Sequence, residues 1–155
     1  MIIQITKMKR ILFTILTIFF VNTIYSQVRT YTGTVVDNYD IEPVIGAPIV
    51  INDSIAVCMT GMDGSFMFET DIPVKKLSVP WFPSYEKVDL ELSEDCYHIE
   101  FVLMVYPYYD FMSDRKVNKI RKKEFKKLPK IRRKAYEKGI FQSIDVCYKQ
   151  EFLEL

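Results

Sequence analysis

The segments YTGTVVD (31–37), PVIGAPIVI (43–51) and MDGSF (62–66) decide the fold class of this chain. The first two are rich in β-branched residues, which favour strands, and polar residues separate them. The third contains an Asp-Gly pair, whose residues tolerate the positive φ angles of a tight turn. Together the three segments predict short strands connected by turns.

Seven short stretches between residues 31 and 105 have the character of strands. The stretch 88–92 alternates apolar and polar residues, and 97–105 is assigned the same pattern, so we expect one buried and one wet face in each. A spacing of roughly ten residues between stretches predicts an all-β, two-sheet sandwich. The predicted strands are 31–36, 47–51, 55–60, 65–69, 77–82, 88–92 and 97–105, and Asp63 and Gly64 are the predicted turn of a hairpin between the third and fourth.

The predicted core is formed by the apolar residues on the inward faces of these strands. Its members are Val35, Ile49, Ile51, Val57, Phe66, Phe68, Leu77, Val79, Val88, Leu90, Ile99, Phe101 and Leu103. In the seventh strand Tyr97 and Val105 are assigned to the same face, and the intervening residues to solvent.

The N-terminal 26 residues have the pattern of a secretory signal peptide. Lys7, Lys9 and Arg10 precede an apolar run at 11–21. The run is shorter than the ~20 residues that a membrane-spanning helix needs. We expect cleavage after Ser26 and export to the periplasm or cell envelope, including its outer-membrane side; an uncleaved anchor is the alternative.

The net charge of +1 conceals two oppositely charged parts. Residues 27–112 hold 4 basic and 14 acidic residues, whereas residues 113–138 hold 13 basic and 3 acidic residues. Such a reversal marks a boundary between segments. We predict a sandwich over 27–105, an aromatic linker over 106–112 and a basic, mainly helical segment over 113–155.

The basic segment is predicted to form two helices. Ser113 is a candidate N-cap, Pro129 is expected to break or kink the first helix, and a second helix is expected over 130–138, ended by Gly139. The last twelve residues, 144–155, fit either a strand or a helical turn. In the first helix the apolar stripe comprises Val117, Ile120, Phe125 and Leu128, with lysines and arginines over the remaining surface.

Three roles are open for this basic segment. It can fold against the acidic sandwich, bind anionic lipid or lipopolysaccharide, or dock a partner protein. Nucleic acid is not an expected partner, because the signal peptide exports the chain. The residues assigned to an anionic surface or a partner are Arg121, Lys122, Lys123, Lys126, Lys127, Lys130, Arg132, Arg133 and Lys134.

The three cysteines match no zinc or redox spacing. In an oxidising compartment Cys58 can pair with Cys96 and leave Cys147 free, and buried, unpaired cysteines are the alternative. His98 is the only histidine, so neither a His-rich metal site nor a Ser-His-Asp triad is expected. We expect His98 to be solvated, and we predict no catalytic residue, cofactor or metal ligand; a hydrolase is a remote alternative.

Residues 31–104 resemble the carboxypeptidase regulatory-like domain, a transthyretin-like (prealbumin-like) β-sandwich common in secreted and outer-membrane proteins of Bacteroidetes-type bacteria. The matching residues are Gly33, Val35, Asp37, the segment 43–47, Thr60 and the DGSF segment 63–66. The chain departs from the family at Gly61 and at 83–85. The resemblance implies a non-enzymatic accessory module whose partner is a separate envelope protein.

Overall fold

The computed structural model describes residues 28–106 and 111–155. The predicted signal peptide and part of the aromatic linker lie outside these ranges. The two described helices are α1 (Asp114–Phe125) and α2 (Leu128–Glu137). The eight described strands are β1 (Arg29–Asp37), β2 (Pro48–Ile51), β3 (Ile55–Met59), β4 (Ser65–Thr70), β5 (Lys76–Val79), β6 (Val88–Leu92), β7 (His98–Leu103) and β8 (Tyr148–Gln150).

The strands form two sheets. One sheet has the order β4-β1-β7, in which β1 and β7 run parallel. The other has the order β3-β2-β5-β6-β8, in which every described neighbouring pair is antiparallel. The predicted β architecture with a helical C-terminal segment is therefore confirmed at this level, and the C-terminal segment adds an eighth strand to the larger sheet.

The main core lies between the two sheets. All but one of the thirteen predicted core residues are buried there, because they occupy the inward faces of the strands. The exception is Val57 on β3, which is half-buried and packs against the core from the edge of the larger sheet.

The predicted hairpin between the third and fourth strands is wrong. β3 pairs with β2 and β4 pairs with β1, so the Asp63-Gly64 turn carries the chain from one sheet to the other. Gly64 has a φ of 73°, and a Cβ there would lie 2.4 Å from the Val35 carbonyl oxygen. The actual hairpin joins β2 to β3 through Asn52 and Asp53, both at positive φ, which these residue types tolerate.

Asp63 and Gly64 nevertheless form a tight turn. The Ser65 backbone N–H and hydroxyl donate to Asp63 Oδ1 at 3.0 and 2.6 Å, and these bonds lower the pKa of the Asp63 carboxyl. The carbonyl of Gly64 accepts the N–H of Val35 at 2.9 Å. The turn is thus hydrogen-bonded to β1, and the absence of a Cβ at Gly64 lets the two backbones lie this close.

The two helices begin and end near the predicted positions. Pro129 does not break the first helix as predicted: α1 already ends at Phe125, and Pro129 lies in the first turn of α2, where its missing N–H costs nothing. Leu128, assigned to the first helix, is the first residue of α2. Gly139 follows α2 with a φ of 72°, a conformation that terminates helices. Ser113 occupies the N-cap position of α1, but its side chain forms no capping bond.

The expectation of one wet face on the seventh strand is also wrong. Glu100, Val102 and Met104 are buried, because the C-terminal segment covers the outer face of β7, whereas Tyr97 is exposed. The described part of the chain thus has three layers: helices, the smaller sheet and the larger sheet. The second core, between helices and smaller sheet, comprises Val36, Ile41, Val102, Met104, Leu128, Ala135 and Phe141.

The proposed Cys58–Cys96 pairing is wrong. Cys96 is bonded to Cys147, with the two Cα atoms 5.3 Å apart, and Cys58 is free. Cys96 precedes β7 and Cys147 precedes β8, and the covering of the core by the C-terminal segment brings them together. Cys58 lies on the edge strand β3. Burial raises the pKa of its thiol, and a hydrogen bond with the Met67 backbone offsets part of that rise.

We expect the double variant Cys96→Ala/Cys147→Ala to lower the free energy of unfolding by about 4 kcal/mol. The bond joins residues 51 positions apart, and a cross-link of that span removes considerable entropy from the unfolded chain. Denaturant titration measures the loss, and Cys58→Ala serves as control with a much smaller effect. Non-reducing peptide mapping that linked Cys58 to Cys96 would contradict this pairing.

Candidate functional site

The nine basic residues predicted to contact an anionic surface or partner divide into two groups. Arg121 is 3% exposed and Arg132 is 7% exposed, so these two are not available to a partner. The sequence offers a signal for them, because Arg121 follows Val117 by four residues and Arg132 follows Leu128 by four. Each arginine therefore shares the apolar face of its helix. The exposed remainder, hereafter the basic face, comprises Lys122, Lys123, Lys126, Lys127, Lys130, Arg133 and Lys134.

Arg121 joins α1 to the loop before β6 through a buried ion pair with Glu86. Its Nε and Nη2 donate to the two carboxylate oxygens at 2.7 and 2.8 Å, and its Nη1 donates to Asn118 Oδ1 at 2.8 Å. The guanidinium also lies 5.1 Å from the centre of the Phe152 ring. A bidentate pair of this kind fixes orientation as well as distance, so α1 has one defined position on the sandwich.

Arg132 joins α2 to β7 and to the segment that leads into β8. Each of its three nitrogens donates to at least one acceptor, and together they make five contacts, as many as a guanidinium has N–H groups. The acceptors are the backbone carbonyl oxygens of Glu100, Ser143, Ile144 and Asp145 and the hydroxyl of Tyr148. We call Arg132 and these partners the Arg132 network.

The Glu100 carboxylate completes the Arg132 network from the strand side. Its Oε1 accepts the Gln142 N–H at 2.7 Å and its Oε2 accepts the Ser143 N–H at 3.2 Å. Arg132 Nη2 lies 3.7 Å from Oε2. The Tyr148 hydroxyl donates to the Glu100 carbonyl at 2.9 Å. These bonds cover the edge of β7, which would otherwise present free carbonyl groups to solvent.

His98 is partly exposed, but it is not merely solvated. Its Nδ1 lies 2.9 Å from Thr32 Oγ1 and its Nε2 lies 3.2 Å from Glu100 Oε1. Sequence reasoning missed this alignment, since it depends on the parallel pairing of Thr32 with His98 across β1 and β7. A hydroxyl, an imidazole and a carboxylate are the groups of a hydrolytic triad. Here the carboxylate is already held by two backbone N–H groups, and neither Thr32 nor His98 lines the cavity described below.

The basic face carries positive charge that nearby acids leave largely unpaired. Lys127 pairs with Glu124 at 2.7 Å. In residues 28–106 and 111–155, the other six members form no ion pair. Concentrated charge of one sign raises the local concentration of oppositely charged ligands. The arrangement can therefore bind an anionic surface without first breaking internal ion pairs.

A cavity of about 410 Å³ lies beside the Arg132 network, between the helices, β7 and β8. Lys126 and Arg133, both of the basic face, contribute to its lining, as do Arg132, Tyr148 and Gln150. Sequence reasoning did not detect the cavity, because it forms only when the C-terminal segment folds over the sheet. The apolar lining residues are Val102, Phe125, Leu128, Pro129, Ile144 and Val146.

Neither a cluster of metal-ligating side chains nor a membrane-spanning helix occurs among the described residues. No group of three or more His, Cys, Asp or Glu side chains there is placed to hold a metal ion. No helix in those residues is both long enough and apolar enough to cross a bilayer.

No protein-family model, curated protein or solved structure matches this chain. The resemblance to the carboxypeptidase regulatory-like domain therefore stays a prediction from the motif residues.

We expect Arg132→Met to lower the free energy of unfolding by about 3–5 kcal/mol, because it leaves Glu100 buried without its cation. Arg133→Met is the matched control, since the neighbouring side chain is exposed and should change stability by no more than about 0.5 kcal/mol. Chemical denaturation of both variants measures the difference. Equal losses would show that Arg132 does not anchor the helix.

Tyr148 gives a test of the Arg132 network at alkaline pH. Burial raises the pKa of Tyr148 to about 12, with Arg132 opposing the shift, against about 10 in an unfolded chain. The folded state keeps a proton that the unfolded state has lost, so this contribution to stability is complete below pH 10 and disappears as the pH rises to about 12.

Unfolding measured between pH 10 and 12 should therefore show a steeper loss of stability in the wild type than in Tyr148→Phe. Tyr136→Phe, which changes an exposed tyrosine, is the control and should keep the wild-type slope. Parallel slopes for all three proteins would mean that the Tyr148 hydroxyl is solvated.

Proposed function

We propose that this chain is an exported, non-enzymatic β-sandwich module that binds another component of the cell envelope, with the basic face as its contact surface. The observation that carries the proposal is the division of the basic residues. Arg121 and Arg132 hold the helices to the sandwich, while the seven side chains of the basic face stay exposed. Charges that the fold does not use internally are available for recognition.

The basic face is held in place before any partner arrives. The Arg121–Glu86 pair, the Arg132 network and the Cys96–Cys147 bond fix both helices and the segment that follows them. Binding to a surface that is already ordered costs less conformational entropy than ordering a flexible basic tail. This rigidity supports a recognition role over that of a flexible tail.

Export is supported by two independent features. The sequence 1–26 has the pattern of a signal peptide. The disulfide bond joins Cys96 to Cys147, and such bonds persist mainly in oxidising compartments. The periplasm or the outer-membrane side of the envelope is the proposed location, and the two-sheet architecture is compatible with the transthyretin-like fold that the motif residues suggest.

The second candidate function is attachment to anionic lipid or lipopolysaccharide. Of the predicted apolar stripe, Val117 and Leu128 are buried and Ile120 and Phe125 are half-buried, so the stripe packs against the fold instead of facing a membrane interface. Such attachment would be electrostatic, through the basic face alone. The observation in favour of this candidate is the unpaired charge of Lys126 and Arg133 beside an apolar cavity.

A non-enzymatic role is proposed for the Thr32–His98–Glu100 alignment. The Glu100 carboxylate is already bonded to the backbone N–H groups of Gln142 and Ser143 and is buried, and the three residues lie on the paired strands β1 and β7. We infer that this alignment ties β1 to β7 and to the C-terminal segment.

The double variant Lys123→Glu/Lys130→Glu tests the basic face. Each basic residue near an anionic surface contributes about 1 kcal/mol, so loss of two should weaken binding to phosphatidylglycerol vesicles by about 30-fold or more. Lys75→Glu/Lys149→Glu carries the same change in net charge at two exposed residues outside the basic face and should retain the wild-type affinity. Vesicle co-sedimentation at low and high salt measures both.

Envelope extracts extend the same test to protein partners. In one outcome the wild type does not bind vesicles, and one envelope protein is captured by the wild type and the control but not by Lys123→Glu/Lys130→Glu. This outcome would identify an acidic protein as the partner. At about 1 M salt, charges are screened beyond about 3 Å. If capture survives that salt concentration and neither variant affects it, the contact lies elsewhere on the sandwich.

A further inference from the structure

We propose that the cavity beside the Arg132 network binds a single-chain fatty acid, with its hydrocarbon chain inside and its carboxylate at Lys126 and Arg133. This deepens the proposed function, because it names a ligand for one edge of the basic face. The site is nevertheless distinct in chemistry from the outer surface, since most of its lining is apolar.

The size of the cavity suits a small ligand. Its volume of about 410 Å³ lies within the range of about 300–1,000 Å³ that ligand pockets occupy. The volume is near the low end of that range, which favours one hydrocarbon chain over a two-chain phospholipid. Walls formed by Val102, Phe125 and Leu128 suit methylene groups.

The cavity opens at a pair of exposed apolar side chains. Ile144 and Val146 line it, yet they are 47% and 51% exposed. They flank Asp145, whose carbonyl is held by Arg132, so the loop that presents them is fixed. A hydrocarbon ligand would remove this apolar surface from water, which is favourable in proportion to the area buried.

The polar groups of the lining select the head of the ligand. Arg132 and the Tyr148 hydroxyl are already bonded within the Arg132 network, so they offer little to a sugar or a nucleotide. Lys126 and Arg133 form no ion pair with any residue in the described ranges, and no acidic side chain is among the lining residues of the cavity. Two free cations beside an apolar cavity are complementary to a carboxylate at the end of a hydrocarbon chain.

Calorimetric titration of the purified protein with dodecanoate, below the concentration at which it forms micelles, tests the proposal. We expect saturable binding of one molecule per chain. Decanoate, which is two methylene groups shorter, should bind about 15-fold more weakly, since each buried methylene contributes about fourfold in affinity. Dodecanol, which has the same chain and no charge, should also bind more weakly than dodecanoate.

Variants locate the binding site. Val146→Trp should block the opening and abolish dodecanoate binding, and Ile72→Trp, a matched change at another exposed apolar residue, should leave it unchanged. Lys126→Gln/Arg133→Gln should reduce the preference for dodecanoate over dodecanol, while Lys75→Gln preserves it. Circular dichroism and the unfolding midpoint establish that each variant is folded.

The proposal is overturned if no saturable binding occurs, if Val146→Trp is folded and binds like the wild type, or if dodecanol binds as tightly as dodecanoate. The vesicle experiment separates this outcome from failure of the proposed function. Val146→Trp leaves the lysines of the basic face intact, so it should lose dodecanoate and keep vesicle binding. Lys123→Glu/Lys130→Glu, whose changed residues do not line the cavity, should keep dodecanoate and lose vesicle binding.

Discussion

The burial of Arg132 against β7 is the interaction on which the C-terminal segment of the structure depends. Its guanidinium bonds to the Glu100 carbonyl and to three consecutive carbonyls, 143–145, so one side chain fixes both the helix and the loop. A buried charge is costly unless its hydrogen bonds are satisfied. We infer that the network sets the position of the segment: if α2 were displaced along the sheet, these acceptors and the Glu100 carboxylate would lose their partner.

The opposite charges of the acidic sandwich and the basic C-terminal segment have two roles: a few hold the two parts together, and the rest remain on the surface. Glu86 and Glu100 from the acidic sandwich each meet one arginine of the basic segment, and both pairs are buried. The remaining lysines face solvent, where individual ion pairs such as Lys127–Glu124 add little to stability. Attraction between the two parts is thus concentrated at two sites, and most of the positive charge remains on the surface.

Local sequence pattern predicted the strands and the main core because alternation and turn residues act over a few positions. Strand pairing, the disulfide and the cavity depend on contacts between distant segments, so this pattern could not predict them. Two signals were nevertheless present. Phe101 to Val105 are five consecutive apolar residues, which is typical of a strand buried on both faces. Arg121 and Arg132 each lie on the apolar face of a helix, where a basic residue needs a buried partner.

The proposed surface and the proposed cavity share Lys126 and Arg133, and this sharing has a thermodynamic consequence. A carboxylate bound between these two residues would neutralise part of the basic face, so its presence would weaken attraction to a second anion. Linkage requires the effect to be reciprocal: an anionic surface that engages Lys126 and Arg133 would lower the affinity of the cavity for the carboxylate by the same factor. A chain with both properties would therefore release its fatty acid more readily at an anionic membrane than in free solution.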